Sequence, residues 1–227
     1  MYFDSTYILV IIGAIISLIA SWNVKRTFNK YSNVGNTKGY SSQDIAQKIL
    51  NSAGIYDVRI ERIRGNLTDH YSPTEKVLRL SDSVYGSTSV AALGVAAHEC
   101  GHAIQHKIGY AALKLRSVSV PVANFGSKLS WPMIIIGLAM DWAGLAQLGV
   151  ILFTFVVFFQ LITLPVEFNA SSRALEILEK DSILVGDELS SAKKVLSAAA
   201  LTYVAALVSS VLQLLRLIMI AKGSRRR

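Results

Sequence analysis

Cysteine is almost missing: Cys100 stands alone in 227 residues, so no intrachain disulfide can form and the chain carries no redox framework. Charge is scarce too, at 17% against 52% hydrophobic residues, with a mean hydropathy of +0.43. That balance excludes an ordinary soluble domain. Long turn-rich stretches are too few for a β-barrel. No internal repeat is visible, which argues against a transporter built from inverted halves. No aromatic-basic platform accompanies the net charge of +8 and the pI near 9.6, so no nucleic-acid partner is expected. The basic excess reads instead as juxtamembrane Lys and Arg. What remains is a set of apolar runs about 20 residues long, the mark of an integral α-helical membrane protein whose first partner is the lipid bilayer.

The first run, Tyr7 to Trp22, follows Asp4 and precedes Lys25, Arg26 and Lys30. A cleaved signal peptide carries the opposite flanks, so residues 1–22 are expected to form an uncleaved transmembrane anchor leading into the cytoplasm. Residues 23–88 form the polar α+β segment. Further spans are expected at about 117–140, 145–165 and 195–221, which with the intervening metal-binding helix make residues 89–227 one membrane-embedded domain. Pro121 and Pro132 are expected to kink the second span, and Pro165 to end or bend the third. Four spans put both ends on one side, whereas flanking charge places the N-terminus outside and Arg225–Arg227 inside. Either the last run lies in the interface or packs without crossing, which Arg216 favours, or the terminal arginines are translocated.

Within the polar segment, Ser41 and Asp44 form a capping-box pattern ahead of the apolar positions Ile45, Ile49, Leu50 and Ala53, with Gly54 as the stop. Val58, Ile60 and Ile63, then Lys76–Leu80, have strand-like spacing, and two or three short strands are expected. A strand edge beside a metal helix is a ready holder for an extended substrate.

The chemistry is concentrated in His98-Glu99-Cys100-Gly101-His102, inside a helical, Ala-rich run. Residues four apart share a helix face, so both imidazoles can turn to one metal ion while Glu99 lies beside it as a general base. Cys100 projects to the other side and reads as a packing residue. Catalytic zinc keeps three protein ligands and an open position, so one more is needed. His106 continues the face, but one helix cannot curl three turns around an ion, since His98 and His106 lie about 12 Å apart along the axis. Its role stays open between a contact behind the ligands, a substrate contact and a helix C-terminal cation. Glu167 is the better third ligand, because a carboxylate against the end of a membrane span is costly unless metal-bound or paired. Pairing with Arg173 is the alternative. His70 and Tyr71 are candidates to face the developing oxyanion, or are ordinary loop residues.

Asp69-His70-Tyr71, Lys76–Ser81, Val95–His106 and Leu164–Ala174 together resemble the YugP-type membrane zinc metallopeptidases, and more distantly the HtpX-like and CAAX-prenyl proteases. The resemblance spans nearly the whole chain. It implies a gluzincin-like site in which Glu167, on a second helix, completes a single zinc per chain. HtpX-like relatives commonly place an Asp one turn after that Glu to brace a zinc histidine. This chain has Ser171 there and Asn169 two residues after the Glu, and either can accept an imidazole N–H. The expected architecture is mainly α: a polytopic α-helical membrane protein with a small α+β zincin-like catalytic portion at the membrane surface. The expected activity is zinc-dependent hydrolysis of membrane or membrane-proximal proteins, at the cytoplasmic face of a bacterial plasma membrane. A catalytically silent scaffold with a structural zinc is the rival, although structural sites usually have four ligands and retain no base. The sequence carries no sign of oligomeric state.

Overall fold

The computed structural model describes residues 5–224, so Asp4 and Arg225–Arg227, on which part of the charge argument rests, lie outside the described residues. Its elements in chain order are α1 (Tyr7–Tyr31), α2 (Ser42–Ser52), β1 (Arg59–Ile63), β2 (His70–Ser72), β3 (Val77–Ser81), α3 (Val90–Lys107), α4 (Ala111–Ala139), α5 (Ala143–Lys180) and α6 (Asp187–Ser224). The fold is mainly α with a small α+β portion, as expected. Residue contacts group the chain into two discontinuous units rather than into successive stretches. Unit 1 comprises 1–21, 114–165 and 201–227, and unit 2 comprises 22–113 and 166–200.

Unit 2 is built around α3. Ser89 caps it by accepting the Ala92 N–H at 3.2 Å, and Gly109, at φ +64°, takes the left-handed conformation just past its end. Twelve of its 18 residues are buried, so α3 is a central helix with neighbours on several sides. One neighbour is α2, whose Ser41 cap accepts the Asp44 N–H at 3.3 Å and which buries Ile45, Ala46, Ile49 and Leu50. Gly54, at φ +67°, follows its end. The other neighbour is the sheet, in the order β1-β3-β2. β3 runs down the middle, parallel to β1 and antiparallel to β2, with Tyr71 opposite Leu78. Leu78 and Leu80, on one face of β3, are fully buried in the core shared with α3, and Val77 is fully buried as well. Asp69 pins the hairpin, its carboxylate accepting the Ser81 N–H at 2.7 Å and the Ser81 hydroxyl at 2.9 Å. The end strand β2 packs against α3.

Unit 1 packs differently. A Cβ on Gly126 would stand 2.7 Å from the Leu152 carbonyl oxygen, and one on Gly137 2.5 Å from the Ala146 nitrogen. Contacts that run 126 to 152 and 137 to 146 make α4 and α5 antiparallel, at a separation only small residues permit. Gly13 against Ser209, and the Tyr7 ring 4.0 Å from the Arg216 guanidinium, make α1 and α6 antiparallel too. Large apolar side chains point outward, among them Leu18 at 69% and Val118 at 73% exposure. In water such a surface would aggregate; in lipid it is the expected exterior.

Two of these observations differ from the sequence reading. Pro165 neither ends nor splits its helix: α5 runs unbroken for 38 residues. Continuing the helix sacrifices one backbone hydrogen bond, whereas ending it would free several carbonyls in an apolar setting. Pro121 and Pro132, which were expected to kink a helix rather than end it, lie inside one helix, α4. Among the described residues α1, α5 and the Asp187–Lys222 part of α6 are long and apolar enough to cross a membrane. The expected span at 117–140 is not among them, since Asn124 and Lys128 dilute it. The last run belongs to one continuous 38-residue helix, α6.

Candidate metal centre

Two helices of unit 2 meet where α3 has no side chain. A Cβ on Gly101 would lie 2.7 Å from the Ala170 carbonyl oxygen of α5, so glycine is what lets the two backbones approach. Glu167, one turn earlier on α5, is thereby carried onto the face of α3 that holds His98 and His102. Cys100 points the opposite way, into α2, with its Sγ 3.6 Å from the Ala46 carbonyl oxygen. Burial keeps that thiol well above its ordinary range, so it behaves as an inert packing group.

Glu167 Oε2 stands 3.3 Å from His98 Nε2 and 3.6 Å from His102 Nε2. One donor atom from each of the three residues falls within 4.8 Å of the others. Two ligands each about 2.0–2.1 Å from zinc, at a tetrahedral angle, stand about 3.3 Å apart. The donor set therefore fits a zinc ion in spacing as well as in kind. Glu167 is 2% exposed and the two imidazoles 14% and 12%, so the polar atoms are gathered in a nearly dry place. Burial pushes the His102 imidazole down, yet the Glu167 carboxylate against it and the charge of Glu99 prevail, and it is held above its ordinary value. These groups attract a cation. Glu99, 8% exposed, follows His98 on the same helix.

Each histidine is held from behind. His98 Nδ1 lies 3.0 Å from the Ser171 hydroxyl, so Ser171 stands where the HtpX-like pattern has an Asp. His102 Nδ1 lies 3.0 Å from Gln105 Oε1. Asn169 touches neither imidazole; it accepts from Gln105 at 3.0 Å and from Arg173 Nε at 2.8 Å. Gln105 lies within the stretch Val95–His106 but was given no role from the sequence. The signal was a single amide in a run of Ala, Gly and Ile, three residues after His102, and it proves fully buried.

The remaining candidates separate. Tyr71 on β2 and His106 on α3 meet, with the phenol oxygen 2.8 Å from His106 Nδ1. Burial, and then the charge of Asp57, push the Tyr71 phenol up, so it stays a donor at neutral pH. His70 Nδ1 instead lies 2.9 Å from the Thr68 carbonyl in its own turn. Asp69, two residues from Tyr71, has its carboxyl raised chiefly by burial; Ser81 works against the rise and Glu99 adds to it.

With this geometry in place, comparison with known proteins gives one answer. Residues 6–222 match a family described as "Putative neutral zinc metallopeptidase". The chain belongs to this family. A relative named "Putative membrane protease YugP", from Bacillus subtilis (strain 168), is 48% identical over 210 residues, covering 92% of this chain and 93% of that protein. No solved structure matches. A zinc peptidase family agrees with the donor set of His98, His102 and Glu167, and a membrane relative agrees with the three apolar helices.

Proposed function

We propose that this chain is an integral membrane zinc endopeptidase of the H-E-x-x-H, gluzincin type, acting on membrane or membrane-proximal proteins. The observation that carries the reading is the convergence of His98 Nε2, His102 Nε2 and Glu167 Oε2, with an acidic residue, Glu99, directly between the two histidines in sequence. These three ligands would hold one zinc per chain and leave a position open. Bound there, zinc supplies Lewis acidity toward a water molecule and the scissile carbonyl. Glu99 takes the proton of the attacking water and delivers it to the leaving amine. The nearly dry surroundings strengthen both electrostatic effects. Tyr71 and His106, joined at β2, are placed to meet the substrate on the sheet side of α3, with the phenol as a donor to developing negative charge. His70 faces its own turn and fits a substrate contact less well. Ser171 orients His98, while Asn169 acts at one remove, through Gln105.

An extended substrate segment would add to the free side of β2, the end strand beside α3. Lys25, Arg26 and Lys30 after the first apolar run, and Lys193 and Lys194 ahead of the last, support a cytoplasmic position for unit 2 under the positive-inside rule.

The test pairs zinc content with cleavage of a quenched membrane-protein substrate in wild type and Glu99→Gln. Zinc in both, with cleavage lost by about 10²–10⁴-fold in the variant alone, is the expected result. Equal residual cleavage in both would shift the reading to a structural metal. No zinc in either, after metal-replete purification, would overturn it.

A further inference from the structure

Gln105 is the one polar side chain on α3 that is completely buried, and its amide makes three hydrogen bonds, using both N–H donors and the oxygen. Its Nε2 donates to the Val166 carbonyl at 2.8 Å and to Asn169 Oδ1 at 3.0 Å, while its Oε1 lies 3.0 Å from His102 Nδ1. Amide orientation is settled by groups that have no choice. A backbone carbonyl can only accept, so the amide nitrogen must face Val166. Arg173 Nε can only donate, and it donates to Asn169 Oδ1 at 2.8 Å, so Asn169 presents its oxygen to Gln105 as well. Two independent anchors therefore fix the same orientation. Oε1 is left for His102, and His102 Nδ1 must carry the proton. Its Nε2 lone pair is then the one directed at Glu167 Oε2.

We infer that Gln105 is the positioning residue of the metal centre. It sets the His102 tautomer and, through Val166 and Asn169, holds the α5 turn that carries Glu167 against α3. This rests on the zinc reading given above and adds to it a residue outside the H-E-x-x-H pentad. The two histidines are unlike in this respect. A serine hydroxyl rotates and serves as donor or acceptor, so Ser171 orients His98 without fixing its tautomer. His102 is the rigid ligand and His98 the adaptable one.

The experiment uses the full chain in detergent, loaded with zinc, with its imidazoles labelled in nitrogen-15. In wild type, His102 is expected to bind zinc through Nε2 and to show an Nδ1–H proton that exchanges slowly with water. In Gln105→Met, similar in length but unable to hydrogen-bond, that proton should exchange freely. Zinc affinity, measured by competition with a chelator, should fall about 10–100-fold. Ligation of His102 through Nδ1 in wild type would overturn the inference, and that spectrum decides the matter even where Gln105→Met does not fold. Affinity within threefold of wild type in the variant would also overturn it. A wild-type protein that binds no zinc would instead overturn the metal-centre reading itself, a result visible before any variant is made.

Discussion

Unit 2 keeps its large apolar side chains inside, and unit 1 wears them outside. In unit 2, Ile45, Leu50, Leu78, Leu80, Leu93 and Leu178 are fully buried in one cluster, as in a protein that folds in water. In unit 1, Leu18, Val118 and Phe125 are mostly exposed, and cohesion comes from glycines that bring backbones together. Where the surroundings are already apolar, burying a leucine gains little, and close contact between helices must do the holding. Both devices meet at the metal centre. It is embedded in a water-type core, yet its two helices approach through Gly101 in the manner of membrane helices.

The largest effect is expected from Glu167→Ala. Loss of a first ligand should weaken zinc binding by more than the roughly 10–100-fold typical of an outer contact, with zinc content by metal analysis falling toward zero. Next comes the contrast between leucines. Leu50→Ala should destabilise by about 2–5 kcal/mol, whereas Leu18→Ala on the exposed face of α1 should stay within about 0.5 kcal/mol. Thermal unfolding in detergent measures both, and equal effects would erase the distinction between the units. Gly101→Ala and Gly137→Ala make the comparison finer. Each inserts a methyl where no room exists, at a cost of about 1–3 kcal/mol, but only Gly101→Ala should also reduce zinc affinity.

The smallest effect concerns Asp69. Its carboxyl is raised above the ordinary value of 3.8, so the folded state holds the proton more tightly than the unfolded chain. The stability this contributes is present below pH ~4 and is lost as pH rises through the folded value. Wild type should therefore lose stability relative to Asp69→Asn on going from pH 4 to neutrality, as followed by tryptophan fluorescence. The opposite slope would mean that the Ser81 hydrogen bonds outweigh burial.

Much of this was legible in the residues, for local reasons. The His98–His102 spacing, the Ser41 cap and the stop at Gly54 depend on a few neighbours in sequence, and periodicity reveals them. The alternating Leu78 and Leu80 likewise announced a buried strand. Pro165 was expected to end or bend its span; it does not end it, because a helix stop there would leave carbonyls that no water can serve. Gln105 was invisible because its partners, Val166 and Asn169, come from a helix more than 60 residues later. The joining of Tyr71 to His106 was hidden in the same way: each was a candidate, and only the packing of β2 on α3 made them a pair.

One last consequence belongs to β2, which is only three residues long. A peptide laid along it runs beside about 10 Å of backbone. That is room for two or three main-chain hydrogen bonds and for very few side-chain positions to be distinguished. An edge this short reads almost no vocabulary. Under the proposed activity, selectivity then comes from delivery: the segments cut are those that reach the strand unfolded and close to the bilayer, whatever their sequence spells.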